Sequence, residues 1–171
     1  MFRAFYPKRY LASAYEIPYE NMKEKGIRGV IFDIDNTLVP HDAPADERAV
    51  ELFRRLHAMG LQTCLLSNNK ERRVAPFAAA VGSAYIYKAG KPSKKGYERA
   101  MERMGTDSSS TLFVGDQLFT DVYGANRAGL YSILVKPINP KEEIQIVLKR
   151  YPEKLILWRY EKEKRRRKDR D

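Results

Sequence analysis

The chain has 171 residues, 43% of them hydrophobic, with a formal charge of +10 and one cysteine. That balance excludes wholesale disorder and an internal disulfide framework, and it allows one compact core. No apolar run reaches the roughly 20 residues that span a bilayer, and the positive excess favours an anionic partner: a phosphorylated substrate, an anionic lipid or nucleic acid.

The chain opens on Phe2, Arg3, Phe5, Tyr6, Lys8, Arg9 and Tyr10, with no acid before Glu16. This basic-aromatic segment lacks the apolar stretch of a secretory leader. A short helix is predicted over 19–25, stopped by Gly26. The run Gly29-Val30-Ile31-Phe32 reads as a buried strand. Apolar residues at 49, 52, 53, 56 and 59 predict a helix over 45–59, ended by Gly60. A second strand follows over 61–66 and contains Cys64, whose apolar neighbours mark it as a small buried filler. Next come a helix over 70–80, a short strand over 84–87 and a helix over 94–104 closed by Gly105. A strand over 111–114, a helix over 120–128, a strand over 131–135 and a helix over 142–149 complete the pattern. Strands alternating with helices imply βαβ units, so the expected fold is α/β: a Rossmann-like parallel sheet of about five strands with helices on both faces. Residues 1–150 form the domain, with 1–25 packed on it. Residues 151–171 form a basic helix or tail, in which 159–171 hold eight Lys/Arg against four acids.

Ligands of open parallel sheets sit at the carboxyl ends of the strands. Polar groups follow four of the predicted strands: Asp33-Ile34-Asp35-Asn36-Thr37, then Ser67-Asn68-Asn69, then Lys91-Pro92, then Gly115-Asp116 with Asp121. Each group alone is an ordinary turn; the four in this order carry the argument. Clustered carboxylates repel unless a cation neutralises them, and magnesium takes oxygen ligands. The acidic set open to Mg2+ is Asp33, Asp35, Asp116 and Asp121, with Asp33 and Asp116 the natural direct ligands. Asp33 can attack phosphorus as a nucleophile. Asp35, past a turn, can act as general acid/base toward the leaving group. Lys91 offsets phosphoryl charge, while Ser67 and Asn68 offer polar contacts to the substrate. Thr37 is a third such contact or a local cap that fixes the turn.

These motifs resemble the haloacid dehalogenase (HAD) superfamily: Asp33-x-Asp35-x-Thr37, Ser67, Lys91 and Gly115-Asp116 with Asp121. The second acid, Asp35, resembles its phosphatase branch. Phe5-Tyr6-Pro7-Lys8, Asp35-Asn36-Thr37-Leu38-Val39, Ser67-Asn68-Asn69 and Tyr87-Lys88-Ala89 narrow the resemblance to the YqeG family, related to mitochondrial phosphatidylglycerophosphatases. The resemblance implies a phosphomonoester hydrolase with an aspartyl-phosphate intermediate and phosphatidylglycerophosphate as a candidate substrate. It leaves the basic end unexplained.

Between Thr37 and Ser67 lie 29 residues, and between Ser67 and Lys91 lie 23, already filled by one helix and one strand each. No large cap domain fits, so the site is expected to be open, which suits a bulky substrate. His41 is a candidate for the mouth of the site and His57 for a helix surface. Arg72 and Arg73, close behind Ser67-Asn68-Asn69, read as a solvated helix face before a phosphate contact, and Asn126 and Arg127 as packing or surface residues. Tyr151, Leu155, Trp158 and Tyr160 read as a docking face, a core cover or an interfacial helix. The expected setting is cytoplasmic, with peripheral contact at the inner face of the membrane through the basic ends; the alternatives are a nucleic-acid or ribosome-associated protein acting on a phosphorylated RNA or protein, and a small-molecule phosphatase.

Overall fold

Every apolar run singled out above becomes a strand of one parallel sheet. The computed structural model describes residues 2–139 and 144–168, the last segment with side chains from 151 to 166. The strands are β1 (Arg9–Leu11), β2 (Gly29–Phe32), β3 (Gln62–Leu66), β4 (Ala84–Ile86), β5 (Thr111–Gly115) and β6 (Tyr131–Val135). The helices are α1 (Tyr19–Glu24), α2 (Glu47–Ala58), α3 (Glu71–Val81), α4 (Lys94–Met104), α5 (Tyr123–Arg127) and α6 (Ile144–Lys168). The sheet order is β1-β6-β5-β2-β3-β4, parallel throughout.

The two faces follow from the two-residue period of a strand. Val30, Phe32, Leu65, Leu112 and Val114 point into the core under α1, α2 and α3. Ile31, Cys64, Leu66 and Phe113 point into the core under α4 and α5. Helix ends carry their expected signals. Asp46 caps α2 by accepting from Ala49 N at 2.8 Å. Gly105, at φ 65°, ends α4 in the left-handed conformation that glycine adopts without strain.

The sheet has six strands rather than about five. The additional one, β1, comes from the basic-aromatic segment, and its three residues are too few for a period to show. It pairs Arg9 with Ile133 and Leu11 with Val135. Asn126 ties the same segment down: its Nδ2 donates to Ala4 O and Tyr6 O at 2.9 Å each, and its Oδ1 accepts from Ser132 at 2.7 Å. Phe2, Phe5, Tyr6 and Tyr10 pack around Leu118, Val122, Leu134 and Ile156. The helix predicted over 120–128 is in fact a widened π turn, Leu118–Val122, leading into α5. At the end of the chain α6 runs unbroken past position 150, where the division between domain and tail was expected. The first residues of the helix predicted over 142–149 lie outside the described residues.

No helix of the described residues is long and apolar enough to cross a membrane. Between Thr37 and Ser67 the chain forms only a turn, α2 and β3, and between Ser67 and Lys91 only α3 and β4. The carboxyl ends of β2, β3 and β5 are therefore left without a cap domain.

Candidate active site

Asp33 follows directly on β2, with its N–H donating to Val114 O of the neighbouring β5 at 2.9 Å. Asp116 follows β5 in the same way, so two acids from adjacent central strands meet at one end of the sheet. The π turn brings in the third. Val122 N and Asp121 N both donate to Gln117 O, at 3.2 and 3.0 Å, while Asp121 Oδ2 accepts from Gln117 N at 3.1 Å. One carboxylate oxygen from each of Asp33, Asp116 and Asp121 lies within 4.8 Å of the others, and all three residues are buried.

Lys91 closes the group. Its Nζ donates to Asp33 Oδ1 and Asp121 Oδ1 at 2.7 Å each. Among the described residues this is the cation that pairs with the cluster, one charge against three. Burial pushes the Asp33 carboxyl up to about 7 against the pull of Lys91, with Asp121 adding repulsion. Burial opposes the charge on Lys91 as well, yet Asp121 and Asp33 together raise its pKa. An excess of buried negative charge on an all-oxygen donor set is what a hard divalent cation neutralises, so Asp33, Asp116 and Asp121 fit such a cation.

Asp35 was expected in that metal set too, but its carboxylate stands apart. The chain folds back after Asp33: Leu38 N donates to Ile34 O at 2.9 Å, and Asn36 takes a left-handed φ of 62°. This turn swings Asp35 toward α3. Its Oδ1 accepts from Arg73 Nη2 at 2.9 Å, Arg73 Nε at 3.3 Å and Asp42 N at 2.9 Å. Asn69 Nδ2 stands 3.4 Å from Oδ2. Arg73 is thus no solvated residue, with its side chain only 13% exposed. Charge patterning could not single it out from Arg72, which is exposed. Asp35, His41 and Asp42 also gather three possible ligand atoms, but the Arg73 guanidinium already serves Asp35 and sits 3.8 Å from Asp42.

The other expected site residues fall close by. Ser67 is buried and its Oγ accepts from Asn69 N at 3.1 Å. Asn68 bonds the backbone of Lys91 on both sides: its Nδ2 donates to Lys91 O at 3.2 Å and its Oδ1 accepts from Lys91 N at 2.8 Å. Thr37 Oγ1 lies 3.2 Å from Asp116 Oδ1 and 3.4 Å from Asp33 Oδ2, inside the acidic cluster. Tyr97 gave no sequence signal beyond an apolar helix position. It is fully buried and donates to the carbonyls of Thr120 and Asp121, at 2.9 and 3.1 Å. His57 bonds Thr63 Oγ1 at 2.8 Å, away from the cluster.

A cleft of about 270 Å³ opens over this group, lined by Asp33, Asp35, Ser67 and Lys91 together with His41 and Gln117. Larger clefts of about 460 and 360 Å³ lie elsewhere. The first is at the opposite end of the strands around Arg28 and Gln62, and neither gathers carboxylates around a buried cation.

A family model for haloacid dehalogenase-like hydrolases matches residues 41–129. The chain is 38% identical over 154 residues to the probable phosphatase YqeG of Bacillus subtilis, covering 90% of each protein. It is 30% identical over 141 residues to phosphatidylglycerophosphate phosphatase 1, chloroplastic/mitochondrial, of Arabidopsis thaliana, across 77% of this chain and 40% of that protein. Among solved structures, NagD from Escherichia coli superposes with a TM-score of 0.53 at 18% identity, over 64% of this chain and 87% of that one. The cobalt-bound deoxy-D-mannose-octulosonate 8-phosphate phosphatase of Haemophilus influenzae superposes with a TM-score of 0.51 at 15% identity, over 67% and 81%. At those identities the superpositions speak for the fold, while the family model and the Bacillus relative, which extends over nearly the whole chain, speak for descent. The chain belongs to the haloacid dehalogenase-like hydrolases.

Proposed function

We propose that this chain is a magnesium-dependent phosphomonoester hydrolase that works through an aspartyl-phosphate on Asp33. The observation that carries the reading is the different company kept by two acids two residues apart. Asp33 sits among Lys91, Asp116 and Asp121, while Asp35 is turned to Arg73 and the cleft.

In the first step an Asp33 carboxylate oxygen attacks phosphorus and the bond to the leaving oxygen breaks, with Asp35 delivering a proton to that oxygen. In the second, Asp35 takes a proton from water, the water oxygen attacks phosphorus, and the bond to Asp33 breaks to release phosphate. Magnesium bound by Asp33, Asp116 and Asp121 would neutralise charge on the phosphoryl oxygens. Lys91 holds Asp33 and Asp121 in place and adds a positive charge beside the transferring group, and Ser67 offers a hydroxyl to a phosphoryl oxygen. Asn68 and Thr37 serve these groups, Asn68 by fixing the Lys91 backbone and Thr37 by bridging two carboxylates.

The substrate we favour is a lipid phosphomonoester of the phosphatidylglycerophosphate type, hydrolysed at the cytoplasmic face of a membrane. Support comes from the name of the Arabidopsis relative and from the missing cap. A site without a lid suits a head group whose own bulk, and the surface it lies on, keep water out.

Asp33→Asn is expected to abolish phosphate release while leaving the circular dichroism spectrum and melting cooperativity unchanged. The wild-type protein should lose activity in EDTA and regain it with magnesium. Normal turnover by folded Asp33→Asn protein rules out the mechanism. For the substrate, kcat/KM on detergent-dispersed phosphatidylglycerophosphate should exceed that on soluble sugar phosphates, and the reverse ranking rejects the lipid.

A further inference from the structure

Among the described residues six large hydrophobic side chains are exposed. Val50, Tyr87 and Ile138 are scattered singly, but Tyr151, Leu155 and Trp158 stand together on α6, at 67%, 52% and 57% exposure. Isolated exposed side chains need no explanation; a contiguous group does. With about 100° of turn per residue, positions 151, 155 and 158 fall on one line along the helix.

The helix sorts its residues by face. Toward the domain, Ile156 is buried against Leu118, Val122 and Leu134, and Tyr160 meets Tyr6 with ring centroids 5.4 Å apart. Two acids also turn inward. Glu153 accepts from Leu118 N at 3.1 Å, and Glu163 accepts from Tyr6 Oη at 3.2 Å and lies 3.9 Å from Arg3. The outward line carries bases instead. Lys154 lies over the Tyr151 ring at 5.7 Å and Lys162 over Trp158 at 4.8 Å. Arg165 joins Trp158, Glu161 and Lys162 around a shallow cleft of about 310 Å³. Of the three described acids on the helix, only Glu161 remains on this side. The N-terminal aromatics, by contrast, pack into the fold, so the segment first expected to meet a membrane has its rings engaged elsewhere.

We infer that the outward face of α6, centred on Tyr151, Leu155 and Trp158 and flanked by Lys154, Lys162 and Arg165, docks the protein on an anionic lipid bilayer. The chemistry selects this partner. Trp and Tyr favour the head-group level, where ring and polar edge are both accommodated. Leu155 supplies apolar area to the acyl boundary, and the lysine and arginine stems lie along it with their charges toward the head groups. Nucleic acid would use the charge but leave Leu155 without a partner. The inference deepens the lipid-phosphatase reading and rests on it only for its purpose, because docking requires no catalysis.

The full chain is mixed with vesicles of phosphatidylcholine alone, or of equal parts phosphatidylcholine and phosphatidylglycerol, and sedimented across a salt series. Binding is expected to the anionic vesicles only and to weaken with salt. Trp158 is the sole tryptophan, so its emission should shift to the blue on binding. Replacing Lys154, Lys162 and Arg165 together by Gln should lower affinity about a hundredfold, since each basic residue near an anionic surface is worth about fivefold. Tyr151→Ser with Leu155→Ser should abolish the shift. Both variants should keep wild-type turnover of a soluble aryl phosphate, and Asp33→Asn protein should bind vesicles as wild type does. Absence of binding at low salt, an unshifted Trp158 spectrum, or binding undiminished in both variants overturns the inference. So does RNA binding through this face without vesicle binding. Vesicle binding with no hydrolysis of phosphatidylglycerophosphate rejects the substrate alone.

Discussion

Asp35 has three donors on one carboxylate oxygen, two of them from Arg73. With Oδ1 held in this way and Oδ2 bonded more weakly, by Asn69 Nδ2 at 3.4 Å, Oδ2 is the oxygen better placed to exchange a proton with a leaving group in the cleft. Arg73 would then be a positioning residue for Asp35, and its loss should resemble a partial loss of acid/base catalysis, itself worth about 10²–10⁴-fold. Arg73→Ala is expected to lower kcat about 10- to 100-fold on alkyl phosphates with KM little changed. The deficit should shrink on aryl phosphates, whose leaving groups need less protonation, and Arg73→Lys should recover part of the rate. A change confined to KM would place Arg73 on the substrate instead. An equal loss on every leaving group would mean that it only supports the fold.

At the scale of an element, the segment after β5 depends on a missing side chain. A Cβ on Gly115 would lie 2.5 Å from Asp121 Oδ2 and 2.7 Å from Asp121 Cγ. The strand end and the π turn therefore approach more closely than any other residue permits. Asp121 in turn holds Lys91, and Lys91 holds Asp33. Gly115→Ala should push Asp121 aside by about an ångström. Displacements of that size near a reacting centre cost about 10²-fold in rate. The expected outcome is a loss of that order in kcat/KM with a raised magnesium requirement, read by titrating activity against magnesium, in a protein that still melts cooperatively. Unchanged magnesium dependence would show that Asp121 is not part of the cation site.

Across the whole molecule the buried Asp33 carboxyl acts against stability when no cation is bound. The folded Asp33 carboxyl lies near 7, whereas an unfolded aspartate titrates near 3.9. As pH rises between those values the unfolded chain releases its proton first, so the metal-free protein loses stability through that window and is level above it. Asp33→Asn removes the group. In EDTA the variant should melt at about the wild-type temperature near pH 4 and increasingly above it toward pH 8. Added magnesium should raise the wild-type melting temperature and narrow the difference. A variant no more stable than wild type at pH 8 in EDTA would mean that Lys91 already compensates the buried charge.

Local composition determined much of this protein. The run Gly29-Val30-Ile31-Phe32 reads as a buried strand, and the order of Asp33, Ser67, Lys91 and Asp116 along the chain already placed each near a strand end, because strand-helix alternation fixes where chain reversals fall. The spacings of 29 and 23 residues left no room for a cap. What the tertiary structure alone decided is which of these groups meet. Two acids separated by one residue part company because the chain reverses at Asn36, and Arg73 becomes the partner of Asp35 because α3 packs beside that turn. The role of the N-terminal aromatics was likewise undecidable from composition. Phe2, Phe5 and Tyr6 have the same character as Tyr151 and Trp158, yet the first set is drawn into the domain by the pairing of β1 with β6 and the second is left outside by the pitch of α6. Apolar and charged residues announce that they need a partner; which partner lies within reach is set by contacts distant in sequence, and those exist only once the sheet is assembled.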